Sequence, residues 1–186
     1  AKRKTTKKAP ANASRKIRLE PSKAQAKLMF SWMGTARWIY NKGVASKLTD
    51  KQALRSTFVN NDVYQSNAAG PKWGLETPYE IRDTAVIDLA KAIKSSKALV
   101  DAGHAKQFKI SFRSKKDQQQ SFVVRSRDSQ STSTHFSLFR GVFKQAGVSS
   151  EIKARESLPC TIAYDARLIR TRLGEWYLCI PEARDD

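Results

Sequence analysis

The chain has few of the residues on which metalloenzymes, disulfide-rich proteins and membrane proteins depend. Its 186 residues include two cysteines and two histidines, too few for a disulfide framework, a zinc site of paired CxxC motifs or a His-rich metal centre. Apolar runs extend over only a few residues, so the sequence predicts no transmembrane helix, and the basic N-terminus lacks the apolar stretch of a secretory signal. A Gly-rich phosphate loop is also missing. The cysteine usage indicates a reducing compartment.

Acidic residues are scarce and scattered. The chain has 17 Asp and Glu against 35 Lys and Arg, and Asp83 and Asp88 fall in one predicted helix while the others lie mainly near loops. A two-metal nuclease needs several carboxylates that converge on ions about 4 Å apart, and no spacing here predicts such a cluster. The sequence therefore predicts neither catalytic nor metal-ligating residues.

Positive charge dominates, with a net charge of +18, and it is concentrated towards the N-terminus. Residues 1–48 hold 13 Lys or Arg and a single acid, Glu20. Lys and Arg that neutralise phosphates release condensed counterions, so this charge indicates a polyanionic partner. Residues 1–14 have too little apolar content to fold alone and are predicted to be a flexible basic arm. Such an arm acts as a nuclear-import signal or nucleic-acid contact, or is merely a solvated tail.

Helix signals occupy residues 22–99. A capping box from Ser22 to Gln25 predicts a helix to Ala45, in which Gly34 would permit close approach of another backbone. A second helix is predicted over 49–59, and a loop over 60–74. Thr77 as N-cap, followed by Pro at the first helical position, predicts a third helix to Leu99. For both Trp32 and Trp38, a position in the core is favoured over a role in base stacking.

Strand signals flank these helices. Residues 16–19 predict a short strand before them, and alternation at 108–112 and apolar residues at 122–124 predict strands after them. Further strands are predicted at 136–144 and 158–163, and a hairpin over 166–180 that turns at Gly174. Phe108, Phe112, Trp176, Cys160 and Cys179 are predicted to lie on strands and in the core. The order predicts one β domain with a helical insertion, an α+β protein.

One predicted hairpin is rich in positive charge. Its candidates for phosphate contact are Lys109, Arg113, Lys115 and Lys116. The same residues are equally consistent with an ordinary solvated face.

Five sequence motifs together resemble one family. KIRLEPS at residues 16–22 and TARWIYN at residues 35–41 resemble the N-terminal region of transposon-encoded TnpB (OrfB) proteins, the relatives of type V CRISPR effectors. PYEIRD at 78–83, FRSKKD at 112–117 and GEWYLCIP at 174–181 resemble the Fanzor branch of eukaryotes and their large viruses. The resemblance spans about residues 15–186.

The resemblance implies an architecture. It implies a small antiparallel, oligonucleotide-binding-like β-barrel, the wedge domain, interrupted by a helical recognition domain. The domains would be the arm at 1–14, the first wedge strand at 15–21, the recognition domain at 22–104 and the rest of the wedge at 105–186. The family continues into a RuvC nuclease domain, whose carboxylates bind Mg²⁺, and then into a zinc finger. The RuvC carboxylates and the zinc finger are absent from this chain. We therefore expect an N-terminal fragment, a processed piece or a truncated copy, with no cofactor of its own.

The resemblance also implies a function and a site. The intact protein would be an RNA-guided DNA endonuclease in the nucleus, and this segment would bind the guide (omega-type) RNA, the target DNA and the RuvC part of its own chain, with no membrane contact. The residues expected to read a duplex motif next to the target are Tyr79, Arg82, Asp83, Lys115, Lys116, Gln120 and Ser121. The residues expected to bind RNA or DNA phosphates are Arg15, Lys16, Arg18, Arg37, Lys109, Arg113, Arg170 and Arg172. The alternative is a stand-alone basic DNA- or RNA-binding module, transposase-derived or ribosomal in type, without nuclease activity.

Overall fold

The computed structural model describes residues 11–65 and 72–183. In these residues seven antiparallel strands form one sheet, in the order β2-β6-β7-β1-β5-β4-β3. The strands are β1 (Ala13–Glu20), β2 (Gln119–Val124), β3 (Ser129–Ser131), β4 (His135–Leu138), β5 (Glu151–Ala154), β6 (Ala166–Thr171) and β7 (Trp176–Glu182). The α-helices are α1 (Lys23–Ser46), α2 (Lys51–Phe58), α3 (Asn61–Gln65), α4 (Tyr79–Asp101) and α5 (Arg140–Gln145). The α+β class is therefore confirmed.

The sheet is open but strongly curved. Its edge strands are β2 and β3, and no pairing between them occurs in the described residues, so the predicted barrel is not confirmed. Only residues 125–128 separate these edges along the chain. Seven flat strands would place their edges about 29 Å apart at ~4.8 Å per strand, whereas five residue steps reach about 18 Å at most. The sheet must therefore curl towards itself.

The strand that opens the sheet starts earlier than expected. β1 begins at Ala13, because Ala13 and Ser14 pair with Glu182 and Pro181 of β7. The predicted flexible arm at 1–14 is thus wrong for its last two residues, and residues 1–10 lie outside the described part of the chain. Local pattern could not show this pairing, since the partner strand is more than 160 residues away.

The capping box at the start of α1 is confirmed. The Gln25 N–H donates to Ser22 Oγ at 3.3 Å, and the Ser22 N–H donates to Gln25 Oε1 at 2.8 Å. The buried Gln25 amide also donates to the carbonyls of Ser149 and Glu151 at 2.9 and 2.8 Å. One side chain therefore both begins the helix and ties it to β5.

Glycine allows close helix packing at a position other than the one predicted. A Cβ on Gly34 would meet only an Arg37 nitrogen at 4.0 Å, whereas a Cβ on Gly43 would lie 2.4 Å from Leu89 of α4 and 3.3 Å from Leu54 of α2. Gly43, not Gly34, is therefore where α1 meets the other two helices.

The predicted loop at 60–74 contains helical structure. α3 occupies Asn61–Gln65, and a 3-10 helix runs from Lys72 to Glu76. Buried Tyr64 anchors the segment, since its hydroxyl donates to the Phe58 carbonyl at 2.5 Å. The polar composition predicted a loop because it did not reveal this contact between Tyr64 and the end of α2.

The helix predicted from Thr77 is present, but its cap is different. Pro78 is the N-cap of α4, and Thr77 makes no capping bond. The Thr77 hydroxyl instead donates to Thr35 Oγ1 of α1 at 2.7 Å, and both threonines are buried. A tertiary hydrogen bond has replaced the local one.

Three strand predictions are wrong. Residues 105–118 form no strand, and Phe108 and Phe112 are 46% and 63% exposed, outside the core. Residues 158–163 are irregular, so Cys160 is exposed and lies on no strand. The segment 136–144 is strand only to Leu138 and continues as α5, because Phe139 has a φ of 41° and turns the chain.

The β6–β7 hairpin is as predicted. Gly174, with a φ of 87°, lies in its turn, and Trp176 is buried. Ile17, Leu178, Leu168 and Phe122 lie side by side across β1, β7, β6 and β2, and all are buried. Trp32 of α1 joins this core edge-on to Phe122, which confirms its prediction as a core residue. The helical insertion and the sheet therefore share one hydrophobic core.

Candidate nucleic-acid interface

Arg82, predicted to face DNA, is buried. It is only 2% exposed, and its guanidinium donates to the Val59 carbonyl at 2.8 Å and to Asn61 Oδ1 at 2.6 Å. The same group lies 5.0 Å from the Tyr64 ring centre and 5.6 Å from that of Tyr79. Burial lowers its pKa, and the Tyr64 hydroxyl opposes that shift. Its predicted exposure is therefore wrong, because Val59 at the C-terminal end of α2 and Asn61 and Tyr64 of α3 cover this side of α4.

Asp83 is buried on another side of the same helix turn. It is 2% exposed and accepts hydrogen bonds from two arginines, Arg55 of α2 and Arg125 after β2. The Arg55 Nη2 to Asp83 Oδ2 distance is 2.9 Å. Asp83 therefore serves as the shared counter-ion of two arginines between the helices and the sheet, and its predicted exposure is also wrong. Of the three α4 candidates, only Tyr79 is exposed, at 41%.

A second shared carboxylate lies farther along α4. Asp88 pairs with Arg167 of β6 at 2.8 Å and with Arg113 at 3.3 Å. Arg167 also donates to Ser121 Oγ at 3.0 Å, and the Arg113 guanidinium lies 3.8 Å from the Tyr40 ring centre. Ser121 and Arg113, both candidate contacts, are thus used within the fold.

The turn after Arg113, whose residues Lys115, Lys116 and Gln120 were expected to read the same duplex motif as Tyr79, packs on α1. Asn41 donates to the Arg113 carbonyl and accepts from its N–H, both at 2.8 Å. Arg37 donates to Gln120 Oε1 at 2.6 Å, and Gln120, which is 8% exposed, donates to the Ser114 carbonyl at 2.8 Å. Burial lowers the pKa of Arg37. Gln120 is therefore a buried link, whereas Lys115 and Lys116, on the turn that it fixes, are exposed.

The remaining phosphate candidates lie on or beside the sheet. Arg15 and Arg18 pair with Glu182 and Glu175 at 2.9 and 3.1 Å, and the Lys16 ammonium lies 4.2 Å from the Tyr177 ring centre.

On β6 and after α4, the candidates vary in exposure. Arg170 is half-buried over Phe30, with 4.6 Å from its guanidinium to the ring centre, while Arg172 and Lys109 are exposed. The structure thus brings Arg37, Lys115 and Lys116 into one neighbourhood and gives Arg15 and Arg18 carboxylate partners.

A cleft of about 760 Å³ separates the start of α4 from β3, β4 and α5. Among its lining residues, Arg82, Arg127 and Arg140 are balanced by Glu76, Glu80 and Asp128. Burial, together with the nearby Glu80 carboxylate, raises the pKa of Asp128. The cleft's exposed polar groups of the kind that contact base edges include Tyr79, Gln130 and Arg140, together with Arg127 and Gln145.

Sequence reasoning missed Arg127, Gln130 and Arg140 of this cleft, because it placed them in a loop and a strand. It also missed Trp73, which is 42% exposed. A tryptophan in an otherwise polar segment was the available signal for Trp73. No local pattern marked the other three.

The described residues do not fit a catalytic metal ion. They contain no group of three or more His, Cys, Asp or Glu side chains that could hold one. Asp83 and Asp88, the carboxylates of α4, are each bound by two arginines. No helix in the described ranges is long and apolar enough to cross a membrane.

Comparison with known families gives one match. Residues 11–49 match the helix-turn-helix domain of OrfB proteins of the IS605 type, which implies DNA binding. In this chain these residues form β1 and α1, and α2 begins just beyond them. No curated protein matches the chain.

Proposed function

Since the chain belongs to the TnpB/OrfB transposon-associated family, we propose that it is the nucleic-acid-binding portion of an RNA-guided DNA endonuclease. In this proposal it binds the guide RNA scaffold and the target DNA, and guide pairing selects the target sequence. The observation that carries the proposal is where the match lies: it includes α1, whose outward face presents Arg37 and Lys42 beside the Lys115–Lys116 turn. These cations supply the phosphate contacts on which such binding depends.

The finer family assignments are part of the same proposal. The motifs of residues 78–181 support the Fanzor branch, the curved sheet corresponds to its wedge barrel, and α1–α4 to its recognition domain. The basic segment at 1–10 would direct the protein to the nucleus. Mg²⁺ chemistry would belong to a RuvC domain that the described residues do not provide, so no catalytic step is assigned to them.

The charge of two surfaces, the outward face of α1 and the cleft beside Tyr79, assigns them different roles in binding. In the part of the chain that the structure describes, the α1 face has no acidic lining residue, so it suits phosphates. The cleft beside Tyr79 has balanced charge, so it is less suited to phosphates than to base edges, where Tyr79, Gln130 and Arg140 lie. In this proposal the target-adjacent duplex is read at the cleft, and the buried Arg82, whose guanidinium lies 5.6 Å from the Tyr79 ring centre, positions Tyr79.

The test is competition for the purified chain between its own guide RNA and a tRNA of similar length. We expect the guide to bind at least ten-fold more tightly at physiological salt, because a folded scaffold is recognised by shape as well as by charge. Equal affinity for both RNAs would contradict the proposal and favour a stand-alone basic binding module.

A second measurement tests the duplex surface. Tyr79→Ala should change the preference among duplexes that differ only in the adjacent motif, in the full-length protein with its guide. Leu99→Ala is the matched control, since Leu99 is a 50% exposed residue near the other end of the same helix. Identical profiles for Tyr79→Ala and wild type would remove Tyr79 from the duplex surface.

A further inference from the structure

A groove of about 580 Å³ lies on the outward face of α1, and the proposed function does not specify its ligand. Its main lining residues are Ser31, Gly34, Arg37, Trp38, Lys42 and Trp73; we call it the α1 groove. Among the described residues, none that lines it is acidic. Within the described residues, neither Arg37 nor Lys42 forms an ion pair. The groove therefore offers positive charge to an anionic ligand.

Two indoles form one wall of the α1 groove. Trp73 and Trp38 meet edge-to-face, with ring centres 5.8 Å apart and planes at 73°. Trp73 is 42% exposed, whereas Trp38 is half-buried. The Lys42 ammonium lies 5.7 Å from the Trp38 ring centre, at the same end of the groove. The 42% exposed Trp73 indole and the Lys42 ammonium, which lies over the Trp38 ring, thus line the same groove.

The backbone that carries Trp73 is held in place. The next residue, Gly74, is so close to the buried Tyr64 ring that a Cβ would lie 2.3 Å from it. Two residues farther on, the Glu76 carbonyl accepts a hydrogen bond from the Trp32 indole at 3.1 Å. Because both contacts involve core aromatics, they fix the 3-10 helix and keep Trp73 turned outward.

Gly34, which has no side chain, leaves open space in the floor of the groove. A Cβ on Gly34 would meet nothing closer than the Arg37 Nη2 atom, at 4.0 Å. That nitrogen therefore lies over Gly34, while the other terminal nitrogen of Arg37 is fixed by Gln120. The guanidinium is oriented by the fold and still presents N–H groups to the groove.

From this arrangement we infer that the α1 groove binds an unpaired nucleotide, whose base stacks on Trp73 and whose phosphate contacts Lys42 and Arg37. Stacking on an aromatic side chain requires an unstacked base, so the ligand is single-stranded nucleic acid and not a duplex. A single-stranded part of the guide RNA and a displaced DNA strand share this chemistry. The inference rests on the proposed function only for nucleic-acid binding itself.

Tryptophan fluorescence tests the inference directly. Short oligouridylate and oligothymidylate, the probes for the two sources, should quench the fluorescence of the wild-type chain more strongly than a blunt duplex of equal charge. Trp32 and Trp176 are 0% and 4% exposed, so the stacking signal should come from Trp73 with Trp38 beside it. The oligomer that binds more tightly identifies the source.

Substitution separates stacking from charge. Trp73→Ala should abolish most of the quenching and weaken single-strand binding roughly 5- to 150-fold, the range given by about 1–3 kcal/mol per stacked base, with duplex binding changed less than about two-fold. Trp73→Phe should restore binding. Lys42→Ala should lower the salt slope by about 0.7. Leu99→Ala is the control, since Leu99 is a 50% exposed apolar residue that lines neither the groove nor the cleft.

Two results would overturn the inference: equal quenching by duplex and single strands, or unchanged single-strand affinity in folded Trp73→Ala. Either result would leave the proposed function standing if the guide RNA still bound. If the wild-type chain bound no nucleic acid at all, that result would instead contradict the proposed function.

Discussion

Replacing Asp83 is the substitution for which sequence and structure make opposite predictions. The sequence placed Asp83 on an exposed face that reads a base, where its loss would change the choice of duplex and cost little stability. In the structure the carboxylate is 2% exposed and binds Arg55 and Arg125. Asp83→Ala should therefore destabilise the fold, because it leaves two cations facing each other without their shared counter-charge.

The magnitude follows from burial. Removing one partner of a fully buried ion pair costs about 3–5 kcal/mol. The Arg55 and Arg125 side chains are 28% and 20% exposed, so water can partly solvate them after the change. We therefore expect a loss of about 2–4 kcal/mol in the free energy of unfolding. At about 2–4 °C per kcal/mol for a domain of this size, the melting temperature should fall by roughly 4–16 °C.

The assay is denaturant and thermal unfolding of Asp83→Ala beside Asp101→Ala. Asp101 is exposed in the last turn of the same helix, where its replacement should change stability by less than about 0.5 kcal/mol. A double-mutant cycle with Arg125→Ala should give a coupling energy of about 0.5–3 kcal/mol. Wild-type stability in Asp83→Ala, together with an altered duplex preference, would refute the structural role and restore the base-reading one.

Three further predictions concern packing, capping and charge. Gly43→Ala should cost about 1–3 kcal/mol in unfolding free energy, because its methyl group would collide with Leu89. Gly34→Ala should instead stabilise α1 by up to about 1 kcal/mol, and equal effects at the two glycines would contradict the packing. Gln25→Glu should destabilise by about 1–3 kcal/mol, measured by urea unfolding, since a carboxylate would face the two carbonyls that now accept from the amide. Deleting residues 1–10, with their five Lys and Arg, should lower the salt slope of RNA binding by about 0.7–0.9 per lost phosphate contact and leave the melting temperature unchanged.

The parts of the fold that the sequence predicted are those with local signals. The capping box at Ser22 needs only four residues, and the hairpin turn at Gly174 needs only a positive φ between two alternating stretches. α4 was predicted from the start signal at Thr77 and Pro78, and the helix is present although its N-cap is Pro78 and not Thr77. These signals remain valid whatever the distant parts of the chain do.

The errors share a physical cause, which is a partner distant in sequence. The alternation at Phe108 and Phe112 has the period of a strand, but the segment is held by α1 through Asn41 and has no strand beside it. Thr77 exchanged a cap for a bond to Thr35. Arg82 was assumed to be exposed because arginines usually are, whereas its acceptors are on Val59, the last residue of the second predicted helix, and on Asn61 in the predicted loop. Because Arg82 and Asp83 are buried, the candidate nucleic-acid contacts lie on the outward face of α1 and in the cleft beside Tyr79.

The most direct test of the central claim is the affinity of the purified chain for its guide RNA across a salt series, for wild type and for the double variant Lys115→Ala, Lys116→Ala. Both lysines are exposed on the turn next to Arg37, so their removal should leave the fold intact. We predict a linear fall of log affinity with log salt for wild type, and a slope smaller by about 1.4–1.8 for the double variant, at about 0.7–0.9 per phosphate contact. An affinity that does not depend on salt, or identical slopes for the two proteins, would contradict the claim that this surface binds nucleic acid.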